Sequence, residues 1–154
     1  TEFTIRFPLK GKPAAAPVES APKPPRKDAK TPFRVLVIDD EPAVRGVIQA
    51  MLSRNGHTVT LAPYGASGLK ELESDTYNLI ITDLGMPDIS GFLLAERLLG
   101  MRGDIPILLL SGLDYEKLSR ARETGIRWFG TKPISIPALA ETVRSALAEG
   151  PQVN

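Results

Sequence analysis

Short apolar runs that each end on a chemically capable side chain constrain this sequence more than any other feature. Val35-Leu36-Val37-Ile38 stops at Asp39-Asp40. Leu79-Ile80-Ile81 passes through Thr82 to Asp83, and Ile107-Leu108-Leu109-Leu110 stops at Ser111. A run without polar alternation is buried on both faces, as in a parallel sheet covered by helices on each side. Strands of that kind lie side by side and bring their ends to one edge, so Asp39, Asp40 and Asp83 crowd together. Like charges at such spacing repel unless a cation joins them. The pattern therefore calls for a divalent metal ion and a cationic side chain, and so for phosphoryl chemistry.

Between the runs the periodicity changes to that of helices. Strands are expected over 33–38, 57–61, 78–82, 105–110 and 127–130. Helices are expected between Glu41-Pro42 and Asn55-Gly56 and over 64–73, 91–99, 115–123 and 136–148. Pro42 suits the first turn of a helix, where its missing N–H is not needed. Val44, Val47, Ile48, Met51 and Leu52 then recur at helical spacing, and Asn55-Gly56 stops the run. Five βα units in succession predict an α/β fold of the doubly wound kind: a three-layer (βα)5 sandwich around a parallel sheet. Ligands in such folds bind beyond the carboxyl ends of the strands, where Asp39, Asp40, Asp83 and Ser111 fall. His57 opens strand 2 away from that edge and reads as an ordinary strand residue. Alternation on strand 5 sends Trp128 and Phe129 to opposite faces.

The rest of the chain is of another character. Half of the 14 prolines lie within residues 1–32. Residues 10–32 are rich in Pro, Ala and Lys and hold too little apolar surface to offset the entropy of ordering. They are expected to form a semi-extended linker. Residues 1–9 alternate apolar and polar side chains like a half-buried strand, as though left from a preceding domain. Residues 33–148 are the expected folded domain and 149–154 a tail. Residues 1–32 carry seven Lys/Arg against three Asp/Glu, and the remainder carries twelve against fifteen. The folded part is thus mildly acidic, which gives no reason to expect a nucleic-acid partner. The apolar stretches fall far short of the ~20 residues of a membrane helix, so no membrane contact by this segment is expected. The chain has no cysteine, which removes thiolate metal sites and disulfides and suits a cytoplasmic location. A parent chain attached to a membrane remains compatible with that.

Five features, in order and each at a strand end, resemble the receiver domain of two-component response regulators. These are the acidic pair Asp39-Asp40, the run Asp83-Leu84-Gly85-Met86-Pro87 followed by Gly91, the pair Ser111-Gly112, the pair Lys132-Pro133, and Phe129 three residues before the lysine. The resemblance covers residues 33–148. It implies a flavodoxin-like sheet of strand order 2-1-3-4-5. It implies that Asp83 accepts a phosphoryl group from a phosphohistidine, carried by a histidine kinase or a histidine phosphotransfer domain, and later loses it by hydrolysis. It implies Mg2+, with Mn2+ as an alternative, held by Asp40, Asp83 and the backbone carbonyl of Gly85, with Asp39 acting through water. Lys132 and Ser111 would contact the phosphoryl oxygens, and Lys132-Pro133 would be cis. Ser111 and Phe129 would be the switch pair reshaping a face of helix 4, strand 5 and helix 5, near Tyr115, Lys117, Arg120, Arg122 and Arg144. A homodimer through that face is compatible with the resemblance.

The first nine residues resemble the closing strand of the ATP-binding domain of sensor histidine kinases. With the linker, that points to the receiver of a hybrid sensor histidine kinase, in which the parent chain is the kinase and this segment catalyses only its own phosphorylation and dephosphorylation. A free-standing single-domain regulator acting through protein contacts is the alternative. A doubly wound nucleotide- or flavin-binding module lacks support, because Asp39-Asp40-Glu41-Pro42 stands where a glycine-rich phosphate loop is needed. A metal-dependent hydrolase with an aspartate nucleophile would need a second acid two residues on, and Gly85 is there. The same Gly85, with Leu113 two residues past the hydroxyl, cannot hold a water by a side-chain hydrogen bond, so slow self-dephosphorylation is expected.

Overall fold

The computed structural model describes residues 32–112 and 115–149. Its elements alternate as β1 (Arg34–Ile38), α1 (Pro42–Arg54), β2 (Thr58–Ala62), α2 (Gly65–Ser74), β3 (Leu79–Asp83), α3 (Gly91–Arg102), β4 (Ile107–Ser111), α4 (Tyr115–Glu123), β5 (Trp128–Thr131) and α5 (Ile136–Glu149). The strands form one parallel sheet in the order β2-β1-β3-β4-β5. The fold is the expected three-layer α/β sandwich with flavodoxin-like strand order. The strand expected over 1–9 lies outside the described residues, as do nearly all of the linker and the tail beyond 149.

Strand alternation divides the interior into two cores. Leu36, Ile38, Ile80, Ile107 and Leu109 point to one face, where they meet Leu72 of α2, Leu94, Ala95 and Leu98 of α3 and Ala121 of α4. Val35, Val37, Leu79, Ile81, Leu108 and Leu110 point to the other, against Ile48, Met51 and Leu52 of α1 and Leu139, Val143 and Ala146 of α5. Trp128 belongs to the second core, while Phe129 packs against the first, as alternation requires. At the start of β1, Arg34 clamps Asp75 through both terminal guanidinium nitrogens and holds its carboxyl below the usual range.

The elements end for local reasons. Pro42 stands at the start of α1, and Asn55 closes it with its side-chain amide donating to the Met51 carbonyl at 2.9 Å. Gly56 follows at φ +84°, a left-handed conformation that glycine adopts without penalty. β2, β3 and β5 each sit one residue later than hydrophobicity suggests, and β4 ends one residue later. Asp83 pairs with Leu110 and Ser111 with Thr131 as part of the ladder. Ile105 lies outside β4, its N–H bonded to the Arg102 carbonyl at 3.1 Å. Helix α3 continues past the expected end to Arg102. Among the described residues no helix is long and apolar enough to cross a membrane.

One close approach fixes the edge where the polar ends gather. The start of α3 packs directly on the end of β3, and a Cβ at Gly91 would lie 2.3 Å from the Asp83 carbonyl oxygen and 2.4 Å from the Leu84 Cα. Both are backbone atoms, so no rotamer change relieves the overlap. Gly91→Ala is expected to cost about 1–3 kcal/mol, the usual range for an overpacked site. Urea denaturation measures it. An unchanged midpoint would mean that α3 moves freely relative to β3.

Candidate functional site

Sheet register and the turns after the strands gather the polar ends at one edge. β1 ends at Ile38 opposite Thr82 of β3, which sets Asp39 and Asp40 beside Asp83. The ladder runs past the strands: the Asp39 N–H donates to the Ala62 carbonyl at 3.2 Å and the Lys132 N–H to the Ser111 carbonyl at 2.8 Å. Asp39, Asp83 and Ser111 are buried, and Asp40 is half-buried. One carboxylate oxygen from each of Asp39, Asp40 and Asp83 lies within 4.8 Å of the others.

A single ammonium group stands among these acids. Lys132 Nζ is 3.0 Å from Asp39 Oδ2, 3.1 Å from Glu41 Oε1 and 3.2 Å from Asp83 Oδ2. The peptide bond from Lys132 to Pro133 is cis, as expected. Burial disfavours the charged form of Lys132. Its close contacts with the carboxylates of Asp39 and Glu41 and the charges of Asp39 and Asp83 outweigh that and hold its pKa above the usual lysine value. Asp39 moves the other way from most salt-bridged acids. Burial is the largest influence on it and raises its pKa, although the Glu41 N–H and Lys132 pull it down. Asp39 Oδ1 accepts from the Glu41 N–H at 2.9 Å. Its Oδ2, despite the nearby ammonium, has no hydrogen bond of good geometry. Three hard carboxylate donors with a buried, incompletely satisfied oxygen match what a small divalent cation requires.

The remaining expected residues also surround Asp83. A Cβ on Gly85 would stand 3.4 Å from Asp83 Oδ2, so position 85 looks directly onto that carboxylate. Gly85 also lines an open groove with Leu84, Met86, Ser90, Phe92 and Arg120. The Ser111 hydroxyl donates to the Gly112 carbonyl at 2.8 Å and so is turned to its own backbone. The Phe129 ring is half-buried on the α4 side of the sheet, with the Arg122 guanidinium 5.3 Å from its centroid. His57, expected to open strand 2, lies just before β2, which starts at Thr58, with its ring 5.7 Å from that of Phe33. Leu113 lies outside the described residues.

Two participants were not anticipated. Glu41 reaches Lys132, and Arg45 donates to the backbone carbonyl of Asp39. The contact between Glu41 and Lys132 spans 91 residues of sequence, a pairing that local pattern does not carry. The one available sign was a third consecutive acid at a helix start.

A family model described as the response regulator receiver domain matches residues 35–144. The chain is 38% identical over 101 residues to a gliding motility regulatory protein of Myxococcus xanthus, a match covering 64% of this chain and 12% of that protein. It is 32% identical over 115 residues to the response regulator MprA of Mycobacterium tuberculosis, covering 74% of this chain and 50% of the relative. It thus spans half or less of these curated relatives. Among solved structures, the Francisella response regulator 1452 receiver domain superimposes with a TM-score of 0.70 at 29% identity, covering 76% of this chain and 98% of that one.

The raised pKa of Asp39 sets a pH dependence. A carboxyl whose folded pKa exceeds its unfolded value favours folding while it is protonated. That contribution is complete below about pH 3.9 and is lost as pH rises through the folded pKa. Asp39→Asn is therefore expected to be more stable than the parent at neutral pH in metal-free buffer, with the gap narrowing as the medium is acidified. Thermal melts across pH test this, and a variant less stable at neutral pH would contradict it.

Proposed function

The chain belongs to the response regulator receiver domain family, and we propose that its Asp83 accepts a phosphoryl group from a phosphohistidine on a donor protein. The observation that carries this reading is the convergence on Asp83: a buried carboxylate at a strand end, Lys132 Nζ at 3.2 Å, and two further acids alongside. The donor would be a histidine kinase or a histidine phosphotransfer domain. An oxygen of Asp83 attacks phosphorus and a P–O bond forms. The P–N bond breaks with its electron pair passing to the imidazole, which leaves and takes a proton from solvent. The product is an acyl phosphate.

Asp39, Asp40, Asp83 and the Gly85 carbonyl are the groups that would hold Mg2+, with Mn2+ as a substitute. When bound, such an ion neutralises charge on the phosphoryl oxygens. Lys132 supplies a point charge to another of these oxygens. Ser111 gives up its bond to the Gly112 carbonyl and turns toward the phosphoryl group, and Phe129 moves into the space it leaves. Phosphorylation adds roughly −1.5 to −2 charge, and the resulting bias reshapes the face of α4, β5 and α5 for a partner or a second copy.

The wider setting is also a proposal. A receiver within a hybrid sensor histidine kinase is supported by the kinase-like pattern of residues 1–9 and the Pro-rich segment that follows. The free-standing regulator is the alternative. The coding sequence upstream of Thr1 distinguishes them, with a kinase domain expected and a start codon near Thr31 contradicting it.

Incubation with a small phosphodonor and Mg2+ is expected to add one base-labile phosphate, read by intact-protein mass, and Asp83→Asn is expected to add none. Uptake by that variant would refute the assignment of Asp83. With no side chain at Gly85 to hold the attacking water, the phosphorylated parent should lose its phosphate slowly. Gly85→Asn should shorten the half-life, and rapid loss from the parent would contradict this.

A further inference from the structure

Glu41 is the N-cap of α1, a position that favours Ser, Thr, Asp or Asn because a short side chain can reach the free N–H groups of the first turn. Glu41 makes no such bond. Its carboxylate turns instead to accept a hydrogen bond from Lys132 Nζ at 3.1 Å. A lysine ammonium has three N–H donors. Three carboxylate oxygens, from Asp39, Glu41 and Asp83, stand at 3.0, 3.1 and 3.2 Å. Of the three contacts, the one to Glu41 has hydrogen-bond geometry, while Asp39 Oδ2 is left without a hydrogen bond, so the ammonium is oriented by Glu41 and has to give up that bond to turn a donor toward a phosphoryl group on Asp83. Asp39 is fully buried, and Asp83 itself carries the new group. The Glu41 side chain is 59% exposed, so water can solvate it once the lysine departs.

We propose that Glu41 is a positioning residue that detains Lys132 at the mouth of the acidic pocket and yields it to the phosphoryl oxygen. This rests on the reading of Asp83 as acceptor and Lys132 as phosphoryl contact. Glu41 stabilises the state before transfer and contributes nothing after it, so it slows phosphorylation without being needed for it. Exposed ion pairs are weak, and the expected effect is roughly two- to five-fold.

Phosphoramidate at saturating Mg2+ is the probe. Glu41→Gln is expected to raise the phosphorylation rate by that factor. Glu41→Asp keeps the charge but shortens the reach by one methylene, and it is expected to give a similar rise. The Mg2+ dissociation constant, measured by calorimetry without phosphodonor, is expected to stay within about two-fold of the parent by the same weak-pair reasoning. An unchanged or lower rate in Glu41→Gln overturns the proposal. So does a parent-like rate in Glu41→Asp, which would make charge at the pocket mouth the cause, and so does a change in Mg2+ affinity large enough to account for the rate. A parent that takes up no phosphate overturns both this and the function it rests on. A phosphorylated parent with an indifferent Glu41→Gln overturns this alone.

Discussion

The ammonium of Lys132 is what allows this sheet to end as it does. Four acids, Asp39, Asp40, Glu41 and Asp83, meet at one edge, and two of them are buried. Carboxylates crowded into a medium less polar than water gain free energy only through a partner. One lysine balances part of that charge and leaves the remainder uncompensated. The raised pKa of Asp39, caused first by burial, shows how costly its charge is there. A pocket in that condition suits a divalent cation, because the crowded carboxylates are costly to keep without one.

The two cores make the arrangement possible. Apolar side chains on both faces hold β1, β3 and β4 in the centre of the sheet, and their polar ends inherit that rigidity. The contact of Gly91 with the backbone at Asp83 and Leu84 ties α3 to the same point. On the other side of Asp83 the parts are less firmly held. Among the described residues the Ser111 hydroxyl bonds only to the adjacent carbonyl, and the Phe129 ring is half-exposed under an arginine. Rigid and adjustable surroundings therefore meet at one carboxylate.

The layer architecture and the converging residues were legible because they follow from composition at strand ends. Apolar runs with no alternation mean burial on both faces, and parallel strands with helical crossovers leave little freedom of topology. Strand boundaries were less legible. Asp83, Ser111 and Thr131 remain in the ladder because their backbone groups pair regardless of side-chain polarity, and hydropathy does not see backbone pairing. Pro106 shows the converse, an apolar residue just outside a strand. Glu41 was missed because its partner is distant in sequence and its apparent task, starting a helix, already accounted for it.

Strand alternation at β5 has a practical consequence for observing the molecule. Trp128 is the only tryptophan in the chain, and it is buried in the core on the α1 and α5 side of the sheet while its neighbour Phe129 faces the opposite core. The backbone of one strand thus separates an intrinsic fluorophore from the aromatic ring assigned to the switch. Emission from this protein reports on the α1 and α5 side of the sheet. A change in it that accompanies events at Asp83 would have crossed the sheet, and so would measure how far a disturbance at the pocket spreads through the fold.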